Sequence, residues 1–242
     1  MKPVDQRPFH FKQFSMHQDR CAMKIGTDGV LIGAWTAVEE SGKARVLDLG
    51  TGTGLVALML AQRNRELVID AIEIDDSAAL QAQENVASSP FAGQITVQHS
   101  AVQEWKPDFR YDHIVSNPPF FNAKPVSPDA RRTKARHDSS LPVSALAEAV
   151  GRLLNSGGRF SVVWPKEREA ELETELACYG LHLERRCSVF PTGDKPCHRV
   201  LCTYVRAEPQ EVLEETLVIE QWGRAGYSAG FLTLLKEYYL DF

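Results

Sequence analysis

Residues 44–49 form a short apolar run that predicts a buried strand, and it stops at Gly50-Thr51-Gly52-Thr53-Gly54. Good helix formers follow over 55–63. A second strand is predicted over 67–74. Asp76-Ser77 then opens a helix with Ala79, Ala82 and Val86 on one stripe. Third and fourth strands are predicted over 95–97 and 111–116, the fourth running into Asn117-Pro118-Pro119-Phe120. Val143, Leu146, Val150, Leu153 and Leu154 mark another helical stripe. Gly157-Gly158 is expected to turn the chain into a strand over 159–164. Residues 167–179 predict a helix, with Leu172, Leu176 and Tyr179 spaced i, i+4, i+7. Two strand-like runs, 183–190 and 199–205, have no helix between them and predict a hairpin with its loop around Pro191 to Pro196.

A β-α-β-α order implies a parallel, doubly wound α/β sheet with helices on both faces. Residues 1–43 precede the first strand and are too few for a separate core. Their Phe9, Phe11 and Phe14 could cover one end of the sheet. One domain is therefore expected over 1–242: an extension (1–43), a core (44–206) and C-terminal elements (207–242).

Composition narrows the class. At 43% hydrophobic and 24% charged residues over 242 positions, the chain has the make-up of a globular protein with a full core. No apolar run approaches the roughly 18–20 residues that span a bilayer, and the first residues lack the apolar stretch of a secretory leader. Five cysteines, an odd number without a C-x-x-C pair, predict neither a disulfide framework nor a zinc site, and place the chain in a reducing cytoplasm. No metal, membrane or obligate protein partner is expected. The net charge of −5 is unevenly spread. Lys12, Arg20 and Lys24 lie in the basic extension. Lys124, Arg131, Arg132, Lys134 and Arg136, with His137, crowd a stretch just after Phe120. Residues 208–221 hold five Glu and no basic residue. A solvated face is the ordinary role of such a cluster, but a local basic surface is also what phosphates respond to.

Two constellations carry chemistry. In Asp48-Leu49-Gly50-Thr51-Gly52-Thr53-Gly54, the glycines permit a sharp turn and a close approach to a ligand. Acidic Glu73 ends the next strand, where a carboxylate accepts hydrogen bonds from ribose hydroxyls of a dinucleotide or an adenosyl group. Dinucleotide loops space their glycines G-x-G-x-x-G; here one residue, not two, precedes the third. With Asp48 adding negative charge, an amino- and sulfonium-bearing ligand, S-adenosylmethionine, fits better than NAD. The second constellation is Asn117-Pro118-Pro119-Phe120. Two prolines remove two N–H donors and leave acceptors, the Asn117 side-chain oxygen and the Pro118 carbonyl. These suit the two N–H groups of an exocyclic amine, and Phe120 offers a face for a flat base or amide. In a doubly wound sheet the first and fourth strands are neighbours at the switch point, so both loops would face one crevice.

Together these motifs resemble the Rossmann-like amino-group methyltransferases. That resemblance implies a seven-stranded, mostly parallel sheet whose last strand is antiparallel, with S-adenosylmethionine as cofactor. More narrowly, the chain resembles the bacterial tRNA(Val) adenine-N6-methyltransferases, which act on the adenosine just 3′ of the anticodon. Phe11-Lys12-Gln13-Phe14, the stretch from Asp19-Arg20 through Lys24-Ile25-Gly26-Thr27-Asp28-Gly29, Leu31-Ile32-Gly33-Ala34-Trp35, Ala82-Gln83-Glu84-Asn85 and Tyr227-Ser228 carry this match. Family members often have Tyr at the position of Phe120. Either ring can stack, and Phe120 merely lacks the hydroxyl.

The resemblance implies catalytic roles for Asn117, Pro118, Pro119 and Phe120. Thr27, Asp28, Asp48, Gly50, Gly52, Gly54, Glu73, Ser100, Ala101 and Asn117 would hold the cofactor, with Ser100-Ala101 beside its adenine. Thr27-Asp28 reads equally well as a helix N-cap. Lys12, Arg20, Lys24, Lys124, Arg131, Arg132, Lys134, Arg136 and His137 would meet tRNA. Three alternatives stay open on sequence: a glutamine-amide methyltransferase, an adenine methyltransferase on another nucleic acid, and a non-catalytic RNA-binding module.

Overall fold

A computed structural model describes residues 7–21, 24–38, 42–119, 141–221 and 226–242. A two-stranded hairpin, β1 (Phe9–His10) and β2 (Ser15–Met16), comes first. Helix α1 (Thr27–Trp35) leads to β3 (Arg45–Leu49), α2 (Leu55–Arg63), β4 (Val68–Glu73), α3 (Asp76–Ala87), β5 (Ile95–His99) and β6 (Tyr111–Ser116). Then follow α4 (Val143–Leu153), β7 (Leu154–Pro165), α5 (Glu169–Ala177), β8 (His182–Thr192), β9 (Arg199–Val205), β10 (Leu213–Glu220) and α6 (Ala229–Leu235).

Strands β3 to β10 form one sheet in the order β10-β8-β9-β7-β6-β3-β4-β5. Every pair is parallel except those made by β9, which runs antiparallel between β7 and β8. β9 is the seventh strand of this sheet in chain order, as expected. β10 is an eighth that the expected seven-stranded sheet lacks. Its sequence is the acidic stretch, whose charge hid a strand with its counterions elsewhere. On neighbouring β8, Arg185 pairs with Glu215 at 2.9 Å and Arg186 with Glu214 at 2.5 Å.

Three other boundaries depart from expectation. The cap of α3 is Asp75, whose side chain accepts from Ala78 N at 2.8 Å, rather than Asp76-Ser77. β7 begins at Leu154, so Gly157-Gly158 lies inside it, where the register against β6 shifts between Tyr111 and His113. A Cβ on Gly158 would sit 3.0 Å from the main-chain oxygens of Tyr111 and Asp112, so this irregular pairing needs glycine. Helix α5 stops at Ala177, and Tyr179 is exposed rather than part of the inner stripe.

The sheet separates two apolar layers. On one face Val46, Ile69, Val115 and Leu201 pack under α1 and α2; on the other Leu47, Ile72, Ile114 and Phe160 pack under α4 and α5. Burial on both faces explains why β3 reads as a nearly continuous apolar run. The extension joins the first layer. Phe11 and Phe14 are buried there with their rings stacked at 4.6 Å, and Phe11 also stacks on Tyr239 near the end of the chain. Lys12 completes this junction by donating to the main-chain oxygens of Lys236 and Phe242.

Within the sheet, His113 on β6 bonds Ser161 on β7 (2.9 Å), which bonds Thr203 on β9 (2.9 Å). All three are buried. Burial, and then the charges of Arg159 and Arg63, push the His113 imidazole down to about 3. The unfolded chain therefore takes up this proton first. The contribution of His113 to stability is present above about pH 6.5 and is lost as pH falls towards 3. Between pH 7 and pH 5 the parent is expected to lose roughly 2 kcal/mol of unfolding free energy through this group. Urea titrations of the parent and His113→Asn at both pH values check it: parallel losses in the two proteins would remove His113 as the cause.

Candidate active site

The strand order reverses between β3 and β6, whose parallel pairing sets Leu49 beside Ser116. Ser116 Oγ donates to Leu49 O at 2.8 Å, tying the two strands at their carboxyl ends. The next residues are Gly50 and Asn117, so the glycine loop and the Asn-Pro-Pro segment leave the sheet side by side, about 4.8 Å apart at the strands.

The glycine loop is held from below. Gly50 N and Thr51 N both donate to Ile72 O on β4, and Gly54 N donates to Thr51 O, each at 3.0 Å. Gly50, Gly52 and Gly54 have φ of 75, 58 and 88°, in the left-handed region where a side chain is strained. A Cβ at Gly50 or Gly52 would meet nothing within 4 Å. Glycine there serves backbone conformation, and the space above those two residues can admit a ligand.

Asp48 does not present its charge to that space. It is 1% exposed, and its Oδ2 accepts from Thr51 Oγ1 (2.5 Å) and from Ala57 N on α2 (3.0 Å). Burial pushes its carboxyl up to about 6, against the lowering effect of those two bonds. A carboxylate in this position braces the loop against α2. The expected outward-facing charge is replaced by an internal clamp, because the alternation of β3 turns position 48 towards the helix layer.

Glu73 closes β4. Its Oε2 accepts from Gly52 N at 2.8 Å, and its Oε1 accepts from Ile74 N and Asp75 N at 2.9 Å. A carboxylate offers about four acceptor positions, and these bonds occupy three of them. The remaining one, on Oε2, lies beside the glycine loop. Ser100 and Ala101 follow β5 and are half-buried; Ser100 N donates to Glu73 O at 2.9 Å, which brings them alongside Glu73.

Helix α1 brings a third wall. Its N-cap is Gly26, without a side-chain cap bond, so Thr27 is the first helical residue and not a cap. Asp28 forms an ion pair with Arg199 at the start of β9 (2.9 Å). Gly29 lies so close that a Cβ there would come within 3.1 Å of Leu55 and 3.3 Å of Asn117 Nδ2. Any side chain there would push on Leu55 and Asn117 by a few tenths of an ångström, so glycine keeps α1 close to the Asn117 segment. Asn117 and Pro119 are half-buried and Pro118 is buried.

Among the residues expected to meet RNA, Lys24 is exposed, Arg20 pairs with Glu84 (2.8 Å), and Lys12 serves the junction of the chain ends. Phe120, Lys124, Arg131, Arg132, Lys134, Arg136 and His137 lie outside the described residues. Sequence reading missed three contributors: Arg199, Gly29 as a close-packing residue, and Asn85 as a buried hydrogen-bonding residue. Asn85 and Gly29 are visible in sequence only as parts of a familiar pattern, and Arg199 is 171 positions from its partner. Among the described residues, no group of His, Cys, Asp and Glu is arranged to hold a metal, and no helix is long and apolar enough to cross a membrane.

Comparison with known proteins agrees with this geometry. Residues 30–177 match the family model described as the methyltransferase small domain. A tRNA1(Val) (adenine(37)-N6)-methyltransferase from Dyadobacter fermentans is 42% identical over 97% of this chain and 98% of its own length. One from Bacteroides fragilis is 43% identical over 98% of this chain and 99% of its own. The crystal structure of a predicted O-methyltransferase from Agrobacterium tumefaciens superposes with a TM-score of 0.68 at 17% identity, covering 87% of this chain and 96% of that one; it supports the fold alone. With relatives this similar along nearly its whole length, the chain belongs to the tRNA1(Val) (adenine(37)-N6)-methyltransferase family.

Proposed function

We propose that this protein transfers a methyl group from S-adenosylmethionine to N6 of adenosine 37 in tRNA1(Val), the reaction for which its relatives are named. The observation that carries the reading is the side-by-side exit of the glycine loop and the Asn117 segment from β3 and β6. One loop suits a methyl donor and the other suits an amine.

The residues present fit S-adenosylmethionine. The open space next to Gly50 and Gly52 would let it approach the backbone, and the free acceptor position of Glu73 would serve a ribose hydroxyl. Ser100 and Ala101 would flank its adenine, and Thr27 and Asp28 would close over its amino acid end. Asp48 would contribute by bracing the loop. When bound, this cofactor supplies an electrophilic methyl group on a sulfonium.

The chain's own part is orientation and polarisation. Asn117 Oδ1 and the Pro118 carbonyl would accept hydrogen bonds from the two N–H groups of the target amine, which would turn its lone pair out of conjugation. Pro118 and Pro119 carry no N–H that could compete for that lone pair. Phe120 would offer its ring to the base. Transfer of that methyl from sulfur to the amine nitrogen would leave the amine proton to go to solvent, so no dedicated base is assigned. Most of the acceleration then comes from alignment and from acceptors already in place.

Lys24, Arg20 and the stretch holding Lys124, Arg131, Arg132, Lys134, Arg136 and His137 would contact phosphates around the target. Lys12 is assigned instead to joining the chain ends. The reading takes residues 1–242 as one catalytic domain acting in the cytoplasm, where its tRNA substrate is found.

Tritium from labelled S-adenosylmethionine should enter unmodified tRNA, at N6 of one adenosine, and not protein or DNA pools. Label in a glutamine side chain would overturn the reading. Asn117→Ala should slow transfer on the order of a hundredfold or more while S-adenosylmethionine affinity stays near that of the parent. Calorimetry alongside the transfer assay decides this, since a matching loss of cofactor binding would make Asn117 a cofactor ligand or a structural residue. Reversing the charges of Arg131, Arg132 and Lys134 together should sharply raise KM for tRNA alone. The log–log salt slope of tRNA binding should fall by roughly 0.7–0.9 for each phosphate no longer neutralised. A parent-like KM and slope would show these residues to be a solvated surface.

A further inference from the structure

Asn85 is on α3 and is fully buried. Its Nδ2 donates to Thr53 O in the glycine loop at 3.0 Å and to His17 O at 2.9 Å; its Oδ1 accepts from His17 N at 2.8 Å. The orientation of the amide is unambiguous, because His17 offers one donor and one acceptor and each meets its complement. One side chain thus holds the N-terminal arm by both main-chain groups of a single residue and the glycine loop by a third bond.

The arm continues from this anchor to the site. Gln81, one turn earlier on α3, accepts from Arg20 N at 2.9 Å through Oε1. Gln18 Oε1 accepts from Ile25 N at 2.8 Å, folding the arm back to the start of α1. Helix α1 then lays Gly29 against Asn117. The path Thr53–Asn85–His17–Gln18–Ile25–α1–Asn117 spans the crevice from the donor side to the acceptor side.

We infer that Asn85 is a positioning residue for methyl transfer, fixing the N-terminal arm to the glycine loop so that the cofactor crevice keeps its width. This rests on the transfer reading above. Asn85 touches neither reacting atom and acts through Thr53 and His17. Without its amide group, the buried Thr53 carbonyl and the part-buried His17 carbonyl lose this donor, and the arm loses its tie to the loop.

The test uses the full chain, with S-adenosylmethionine binding followed by calorimetry and transfer kinetics on unmodified tRNA. Asn85→Asp has nearly the same shape and keeps the acceptor for His17 N, but turns an oxygen towards two carbonyl oxygens. If Asn85 merely fills space, that variant should behave as the parent. As a donor to two carbonyls, it should instead lose about tenfold or more in S-adenosylmethionine affinity, as should Asn85→Ala. KM for the cofactor should rise more than kcat at saturation falls. The Asn85→Asp deficit relative to the parent should also shrink between pH 8 and pH 6, as a protonated carboxyl regains one donor. Gln81→Ala, which frees the arm at Arg20 but spares Thr53, should weaken binding in the same direction by less. Ala87→Gly, which loosens the exposed end of α3 without touching the arm, controls for stability. Parent-like affinity in Asn85→Asp would overturn the inference, and so would an equal loss in Ala87→Gly at matched thermal stability. A parent protein that bound no S-adenosylmethionine would overturn the transfer reading itself, and this inference with it.

Discussion

Everything in the candidate site hangs from the pairing of β3 with β6. Those strands come from distant parts of the chain, and their parallel register brings Leu49 level with Ser116. A single bond from Ser116 Oγ to Leu49 O pins the carboxyl ends together. Both strands are buried on both faces, so a slip by one residue would exchange the layers their side chains enter. The same slip would part the glycine loop from Asn117. Register at the switch point is thus a requirement of the core and of the chemistry at once.

Around that pair the protein uses carboxylates to organise backbone amides. Asp48 holds Thr51 and the start of α2, and Glu73 holds Gly52, Ile74 and Asp75. A tight loop of left-handed glycines leaves several N–H groups without regular partners, and a buried donor left unmade is costly. The acidic residues read as ligand-facing in sequence therefore have internal work first. Glu73 retains capacity for a ligand beside it; Asp48, bonded and buried, acts through the loop it braces.

The terminal segments are part of the same construction. Phe11 and Phe14 pack with Tyr239, Lys12 caps main-chain oxygens near the end of the chain, and Asn85 and Gln81 hold the arm against α3. The acidic stretch at the C-terminal side becomes β10 because Arg185 and Arg186 on β8 face it. Partly exposed ion pairs of this kind add about 0.2–1 kcal/mol each. Their main effect is to make an acidic strand compatible with one edge of the sheet.

Sequence by itself determined the alternation of strands and helices, the glycine loop, the Asn-Pro-Pro segment and the single antiparallel strand. Each is written in local signals: apolar runs, glycine and proline chemistry, and a missing helix between 190 and 199. It determined the family through motifs that are each a short contiguous stretch of chain. Tertiary structure decided what local signals cannot encode. The eighth strand depended on countercharges roughly thirty residues away, on β8. The inward turn of Asp48 followed from which face of β3 meets α2. Arg199 meets Asp28, and Gly29 meets Asn117, because the first turn of α1 comes to the carboxyl ends of the strands. Those contacts join residues far apart in sequence. Their existence depends on the sum of packing across the sheet rather than on any spacing readable along the chain.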